Sequence, residues 1–175
     1  GMTFAPNSTA KAQTATRDGE PSSRVDSLGN YYVCGIRGVP AGVDLWYFDL
    51  RPTIGGVANR MFDPKMRVPI YRGQPDAPGT VAEQDELSAG ALGGGDIDLA
   101  VGFGAYTGLG GTGEPVLAYS SLTAANVTVG RSLDHGATFQ FNPIGNFAGG
   151  VPVNDRQWMG TYGSNTVFLE YRNFG

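Results

Sequence analysis

Arg131-Ser132-Leu133-Asp134-His135-Gly136-Ala137-Thr138-Phe139 is the stretch on which the fold turns. Val127 to Ser132 reads as one strand, Leu133 to Ala137 as a reversal, and Thr138 to Phe141 as the returning strand. The Asp134 carboxylate can accept hydrogen bonds from backbone N–H groups inside the reversal. Gly136 tolerates the positive φ that a tight reversal demands. Thr138 and Phe139 restore β-type side chains, and Phe139 offers a large face to bury. Working outward, Asp98 to Phe141 carries four such segments in succession: Asp98 to Phe103, Pro115 to Ser120, Val127 to Ser132 and Thr138 to Phe141. They predict a four-stranded antiparallel meander with this reversal as its last turn.

Composition agrees with an all-β chain. Of 175 residues, 41% are hydrophobic, 28 are glycine, and only 16% are charged, a profile suited to short strands and tight turns rather than helices. The net charge of −4 and the pI near 4.8 leave no basic stripe to neutralise phosphates, so no nucleic-acid partner is expected. A single cysteine, Cys34, excludes an internal disulfide; within Tyr31-Tyr32-Val33-Cys34 it reads as a buried thiol. The apolar runs fall short of the roughly 18–20 residues a membrane span needs, and no signal peptide is visible. Gly1-Met2 reads as a cloning scar or an internal start.

Residues 1–19 are small, polar and aperiodic, and are expected to form a flexible N-terminal arm. Residues 20–175 then form the folded part. Asn30 to Ile36 and Val43 to Leu50 read as strands, the second apolar on both faces and therefore buried between layers. Five prolines make Arg51 to Ala91 an insertion, with Met66 to Tyr71 an outer strand and Val81 to Leu87 a helical turn. Thr166 to Arg172 is a last strand. An acidic residue introduces each of three units: Asp26 before Tyr31-Tyr32-Val33, Asp96 before Leu99-Ala100-Val101, and Asp155 before Trp158-Met159. Their spacings, 70 and 59 residues, exceed the roughly 40–50 of an ordinary propeller blade because of the insertion and long loops.

The pattern Ser132-x-Asp134-x-Gly136-x-Thr138-Phe139 resembles the Asp-box, or BNR repeat, of the sialidase superfamily, with Phe139 where that family usually has Trp. Val25-Asp26-x-x-Gly29-Asn30, Gly93-Gly94-Gly95-Asp96-x-Asp98, Ser120-Ser121-Leu122 and Asp155-Arg156-Gln157-Trp158 resemble bacterial BNR-repeat, exo-α-sialidase-like proteins. The resemblance implies a partial β-propeller of sialidase type with four-stranded blades, one full and two partial. It implies a secreted or extracellular glycoside hydrolase fragment acting on or binding glycans; the alternative is a non-catalytic module for glycan or protein binding. Because a closed ring takes about 4–8 blades, it also implies missing blades or self-association.

Sialidases share an arginine clamp for a carboxylate, a Tyr–Glu nucleophile pair, an Asp acid/base and a Phe/Tyr-Arg-Ile-Pro motif. Arg67-Val68-Pro69 matches that motif only in part. On the family's plan Arg156, and after it Arg24 and Arg37, are candidates to fork onto a substrate carboxylate. Asp26 and Asp155 are candidates for acid and base, and Asp96 with Asp98 for a calcium ion, which takes about 6–8 oxygen ligands. No cofactor is otherwise required. Each of these carboxylates could equally cap its own turn, and each arginine could serve a structural ion pair. Trp158 is either a sugar-stacking platform or a core aromatic. His135, the one histidine, falls in a turn expected to be exposed, which argues against a catalytic triad or zinc site.

Overall fold

The computed structural model describes residues 18–38, 42–63, 67–75, 95–122, 127–144 and 154–173. The described residues are all-β. Strands β1 (Gly19–Val25), β2 (Asn30–Gly38), β3 (Gly42–Asp49) and β6 (Ile70–Gly73) form one antiparallel sheet in the order β1-β2-β3-β6. A two-residue-per-strand hairpin, β4 (Thr53–Ile54) and β5 (Val57–Ala58), interrupts it. Strands β7 (Ile97–Val101), β8 (Leu117–Leu122), β9 (Val127–Ser132) and β10 (Gln140–Ile144) form the second antiparallel sheet, in simple up-and-down order. A long hairpin, β11 (Asn154–Tyr162) and β12 (Thr166–Asn173), follows. No helix among the described residues is long and apolar enough to cross a membrane.

Alternation explains how these layers stack. Tyr32 and Cys34 of β2, with Val43, Leu45 and Tyr47 of β3, face Ile97, Leu99, Leu117 and Tyr119 of the second sheet and bury one core between them. The opposite face of the second sheet sets Ala100 and Ala118 against Met159, Val167 and Leu169 of the hairpin. Small residues there let the hairpin approach closely. Every residue of β3 is buried, because its other face packs Trp46 and Phe48 under Leu50, Met61 and Tyr71. The burial expected for this strand is therefore right, although the outer cover comes from the insertion and β6 rather than from another sheet. Burial also pushes the Cys34 thiol up to about 12, so it is inert at neutral pH.

Ser132, Asp134, Gly136 and Thr138 close the β9–β10 reversal as the sequence predicts. Asp134 Oδ1 accepts the Thr138 N–H (2.9 Å) and the Ser132 hydroxyl (2.8 Å), and Asp134 Oδ2 accepts the Thr138 hydroxyl (2.5 Å). Ser132 Oγ in turn accepts the Gly136 N–H at 2.8 Å. Gly136 has φ +77, and a Cβ there would meet Leu45 Cδ2 at 2.8 Å, so both backbone and packing require glycine. Phe139 is buried at 1% exposure. The turn is not exposed, contrary to the sequence expectation for His135. The His135 ring stacks on Tyr47 at 4.8 Å, and its Nδ1 lies 3.1 Å from the Tyr32 hydroxyl. A turn of the second sheet thereby locks onto the face of the first.

Two expectations need correction. The first unit, expected to be partial, is a whole four-stranded sheet, because Gly19–Val25, where no strand was expected, forms β1 and Ile70–Gly73, overlapping the expected outer strand, forms its edge. That edge strand starts after Pro69, where a missing N–H does no harm. Asp26 does not introduce a first strand: it follows β1, whereas Asp96 precedes β7 and Asp155 lies near the start of β11. The carboxylates thus fall at opposite ends of the units, so a site shared by Asp26 with the other two is ruled out. The helical turn Val81–Leu87 and residues 1–17 of the arm lie outside the described residues.

Just before β1 a half-buried carboxyl, Asp18, lies against a fully buried one on β3, Asp44. Asp18 meets Asp44, which is fully buried and bound by Arg37 at 2.8 Å and 2.6 Å and by the Tyr71 hydroxyl. Gly35 makes the approach possible, since a Cβ there would meet the Asp18 Cβ at 2.7 Å. Burial first, and the Asp44 charge second, push the Asp18 carboxyl from 3.8 up to about 6. A raised carboxyl stabilises the fold below its unfolded value and loses that contribution as pH rises through about 6. Asp18→Asn, neutral at every pH, should therefore exceed the parent in stability by about 1–2 kcal/mol at neutral pH. Urea titrations at pH near 4 and near 7.5 check this: the advantage should vanish at the lower pH, and an unchanged difference would refute the carboxyl pairing.

Candidate functional site

The first strands of the three units, β1, β7 and β11, lie side by side and run in the same direction. Side chains, not a backbone ladder, tie them. Asp98 of β7 accepts Ser22 Oγ and Arg24 Nη2 of β1, each at 2.8 Å, on Oδ1, and the Met159 N–H of β11 at 2.8 Å on Oδ2. Gln157 of β11 donates its side-chain amide to the Asp96 carbonyl, and the Thr161 hydroxyl donates to the Val101 carbonyl at 2.6 Å. At the far end Phe103 N–H reaches the Gly163 carbonyl at 2.8 Å, and Gly104 N–H reaches Ser27 Oγ at 3.2 Å.

Near the beginnings of these strands a cleft of about 420 Å³ opens. Glu20 to Arg24 form one wall, Asp96 to Asp98 the floor, and Arg156 to Trp158 the other wall. Both walls are bent by bulges, between Gly19 and Ser22 in β1 and between Asp155 and Gln157 in β11. At each bulge a non-glycine residue takes positive φ: Glu20 at 43° and Arg156 at 54°. Such a backbone costs about 1 kcal/mol or more, and a bulge re-aims the side chain it carries. Burial raises the proton affinity of the Asp96 carboxyl above its usual range; the Glu20 charge adds to this and the Arg156 charge opposes it. Trp158 is 55% exposed beside these polar groups, whereas the other tryptophan, Trp46, is 3% exposed.

Five of the residues singled out in the sequence meet here: Arg24, Asp96, Asp98, Arg156 and Trp158. Asp155 is adjacent, paired in register with Arg172 across the hairpin, but does not line the cleft. Asp26 is a turn cap: its Oδ1 accepts the Leu28 and Asn30 N–H groups at 2.9 Å, and its Oδ2 accepts the Asn30 side-chain amide at 2.8 Å. Arg37 is engaged on the far face of the first sheet by Asp44. Arg67 of the partial motif reaches the Met61 carbonyl at 3.1 Å, likewise outside the cleft. Among the described residues no three His, Cys, Asp or Glu side chains come together to hold a metal ion, and both Asp98 oxygens are already committed.

The sequence reading missed Glu20, Ser22 and Gln157. Glu20 and Ser22 fall in a polar run whose strand has no apolar alternation, and the two bulges that bring in Glu20 and Arg156 leave no residue signature. What the gathered groups offer is hydrogen-bond acceptors on the carboxylates and donors on a guanidinium and an amide, set in one polar cleft. Compared with known proteins, the chain matches no family model, no curated protein and no solved structure.

Proposed function

We propose that this chain is a piece of a sialidase-type β-propeller and that the cleft formed by its three first strands binds a glycan outside the cell. The observation that carries the reading is Trp158, an indole 55% exposed that lies between the buried Gln157 and Met159 and borders the polar cleft. A sugar ring can lay its C–H face on the indole while its hydroxyls reach Glu20, Asp96 and Arg156. The Asp-box turn and the two up-and-down sheets with adjacent first strands support the propeller plan. No sheet closes a ring among the described residues, so further blades, or a second copy of the chain, would complete it.

A hydrolytic role in the completed ring is the second reading. It is favoured by Asp96, whose raised proton affinity beside the Glu20 carboxylate gives one group able to hold a proton and one able to accept it. The chain alone is not expected to turn over a sialoside, because Arg24 and Arg37 are committed to Asp98 and Asp44 and only Arg156 remains for a clamp. Trp158 fluorescence offers the direct test. Titration with a panel of oligosaccharides should quench the exposed indole, and Trp158→Ala should weaken binding by about tenfold or more. Absence of any response across the panel would sink the glycan reading. Turnover of a fluorogenic sialoside by the chain alone, lost in Arg156→Ala, would overturn the view that the site is incomplete.

A further inference from the structure

The chain has one histidine, and the fold spends it on the joint between the two four-stranded sheets. His135 stands in the β9–β10 turn at φ 60°, and its ring lies on Tyr47 of β3 with planes 13° apart and centroids 4.8 Å apart. Its Nδ1 is 3.1 Å from the Tyr32 hydroxyl of β2. Arg72 of β6 donates its Nε–H to the His135 carbonyl at 2.9 Å. Three strands of the first sheet thus hold one residue of the second. Tyr32 is 1% exposed, and burial pushes the pKa of its hydroxyl up, so the O–H stays intact. Among the described residues that hydroxyl makes no other hydrogen bond. A buried O–H needs an acceptor, so Nδ1 is the bare nitrogen and the ring carries its single proton on Nε2.

A second proton on the ring breaks this arrangement. It would sit on Nδ1, and the Tyr32 hydroxyl would have to turn its own proton away, unpaired, into the core. The new charge meets mixed company. Burial and the guanidinium groups of Arg72 and Arg51 oppose it; Glu114, Asp26 and Asp49 favour it, as does the π face of Tyr47. The carboxylates are already committed, however. Glu114 Oε1 is 3.7 Å from His135 Nε2 but 3.6 Å from Arg51 Nη1, and its Oε2 accepts the Asn30 amide at 3.2 Å. Arg51 holds Asp49 at 2.6 Å, Asp26 caps its own turn, and Asp134, beside His135, is bound by Ser132 and Thr138. Burial prevails and holds the His135 ring below its ordinary value of 6.5. A depressed histidine supports the fold fully above its unfolded value and loses that support as pH falls below 6.5. We infer that His135 is an acid-sensitive bolt between the two sheets: a proton taken by its ring frees the β9–β10 turn from Tyr32 and Tyr47. Asp18 titrates in the opposite sense, so global stability alone would mask the bolt, and it must be read locally.

The test uses the full chain. Because His135 is the one histidine, a proton-NMR titration of its ring is unambiguous. The ring should titrate below 6.5, and Tyr32→Phe, which removes the hydroxyl and keeps the aromatic ring, should move that titration upward. Amide exchange of residues 134–138, corrected for its intrinsic pH dependence, should lose protection by about fivefold or more between about pH 7.5 and about pH 5. His135→Asn, whose side chain tolerates the left-handed backbone and does not titrate, should abolish that change. Should this variant fail to fold, the ring titration and its response to Tyr32→Phe still decide. A ring that titrates at or above 6.5, a titration that Tyr32→Phe leaves in place or lowers, or turn protection indifferent to pH overturns the inference. So does a loss of protection that persists in His135→Asn, because another group would then carry it.

Discussion

Phe139→Ala should cost about 3–5 kcal/mol, the largest loss expected from any single truncation here. The ring is 1% exposed and meets Tyr119 edge-on, with centroids 5.1 Å apart and planes at 88°. It sits in the core built from both sheets, next to Leu45 and Tyr47 of β3 and Leu117 and Tyr119 of β8. Truncation would remove transfer energy and open a void lined by side chains from two layers, neither of which can collapse alone. The variant should unfold at much lower urea, with near-UV circular dichroism weakened even before the transition. A loss below about 1 kcal/mol would mean that the β9–β10 turn does not deliver this ring into a packed core.

Asp98→Ala should cost about 3 kcal/mol, and its damage should be spread across units rather than confined to β7. The carboxylate is 6% exposed and takes hydrogen bonds from Ser22, Arg24 and the Met159 N–H, so one side chain joins the first strands of all three units. Its removal leaves the buried Met159 N–H without its acceptor and Arg24 without its counter-ion. Amide exchange should accelerate in β1 and β11 while β8 and β9, held by ladders on both sides, stay protected. Asp98→Asn should lie between the two, because an amide oxygen can still accept from Met159 while the ion pair is lost. Faster exchange confined to β7 would show that the ties are not what holds the units together.

How much of this was legible depends on where the determining contacts lie. The β9–β10 turn was readable because its hydrogen bonds join residues two to four positions apart, Ser132 with Asp134 and Gly136, and Asp134 with Thr138. The strands β2, β3, β8 and β9 announced themselves through apolar and β-branched residues. Strand β1 did not: Gly-Glu-Pro-Ser-Ser-Arg-Val is mostly exposed and gains its place from a ladder with β2 and from Asp98, 76 residues beyond Ser22. Asp26 misled the repeat phasing because an Asp after a strand and an Asp before one look alike in sequence. The gathering of Arg24, Asp96, Asp98, Arg156 and Trp158 was half visible, as separate candidates. Their meeting depends on strands packed across units and on left-handed backbone at Glu20 and Arg156, which no local pattern specifies.

The side-by-side first strands also bear on the order in which the molecule is assembled. Within each sheet, neighbouring strands are mostly consecutive in the chain, so pairing closes only short loops and can proceed quickly and separately in each unit. The contacts that join units, such as Ser22 to Asp98 and Asp98 to Met159, span 76 and 61 residues and involve side chains already fixed by their own ladders. Docking is then a late event that matches preformed surfaces. The cleft does not exist until that step, because each of its walls belongs to a different unit. Ligand binding would thus stabilise the docked arrangement without touching the stability of any one sheet, and it would slow the separation of units more than the unfolding within them.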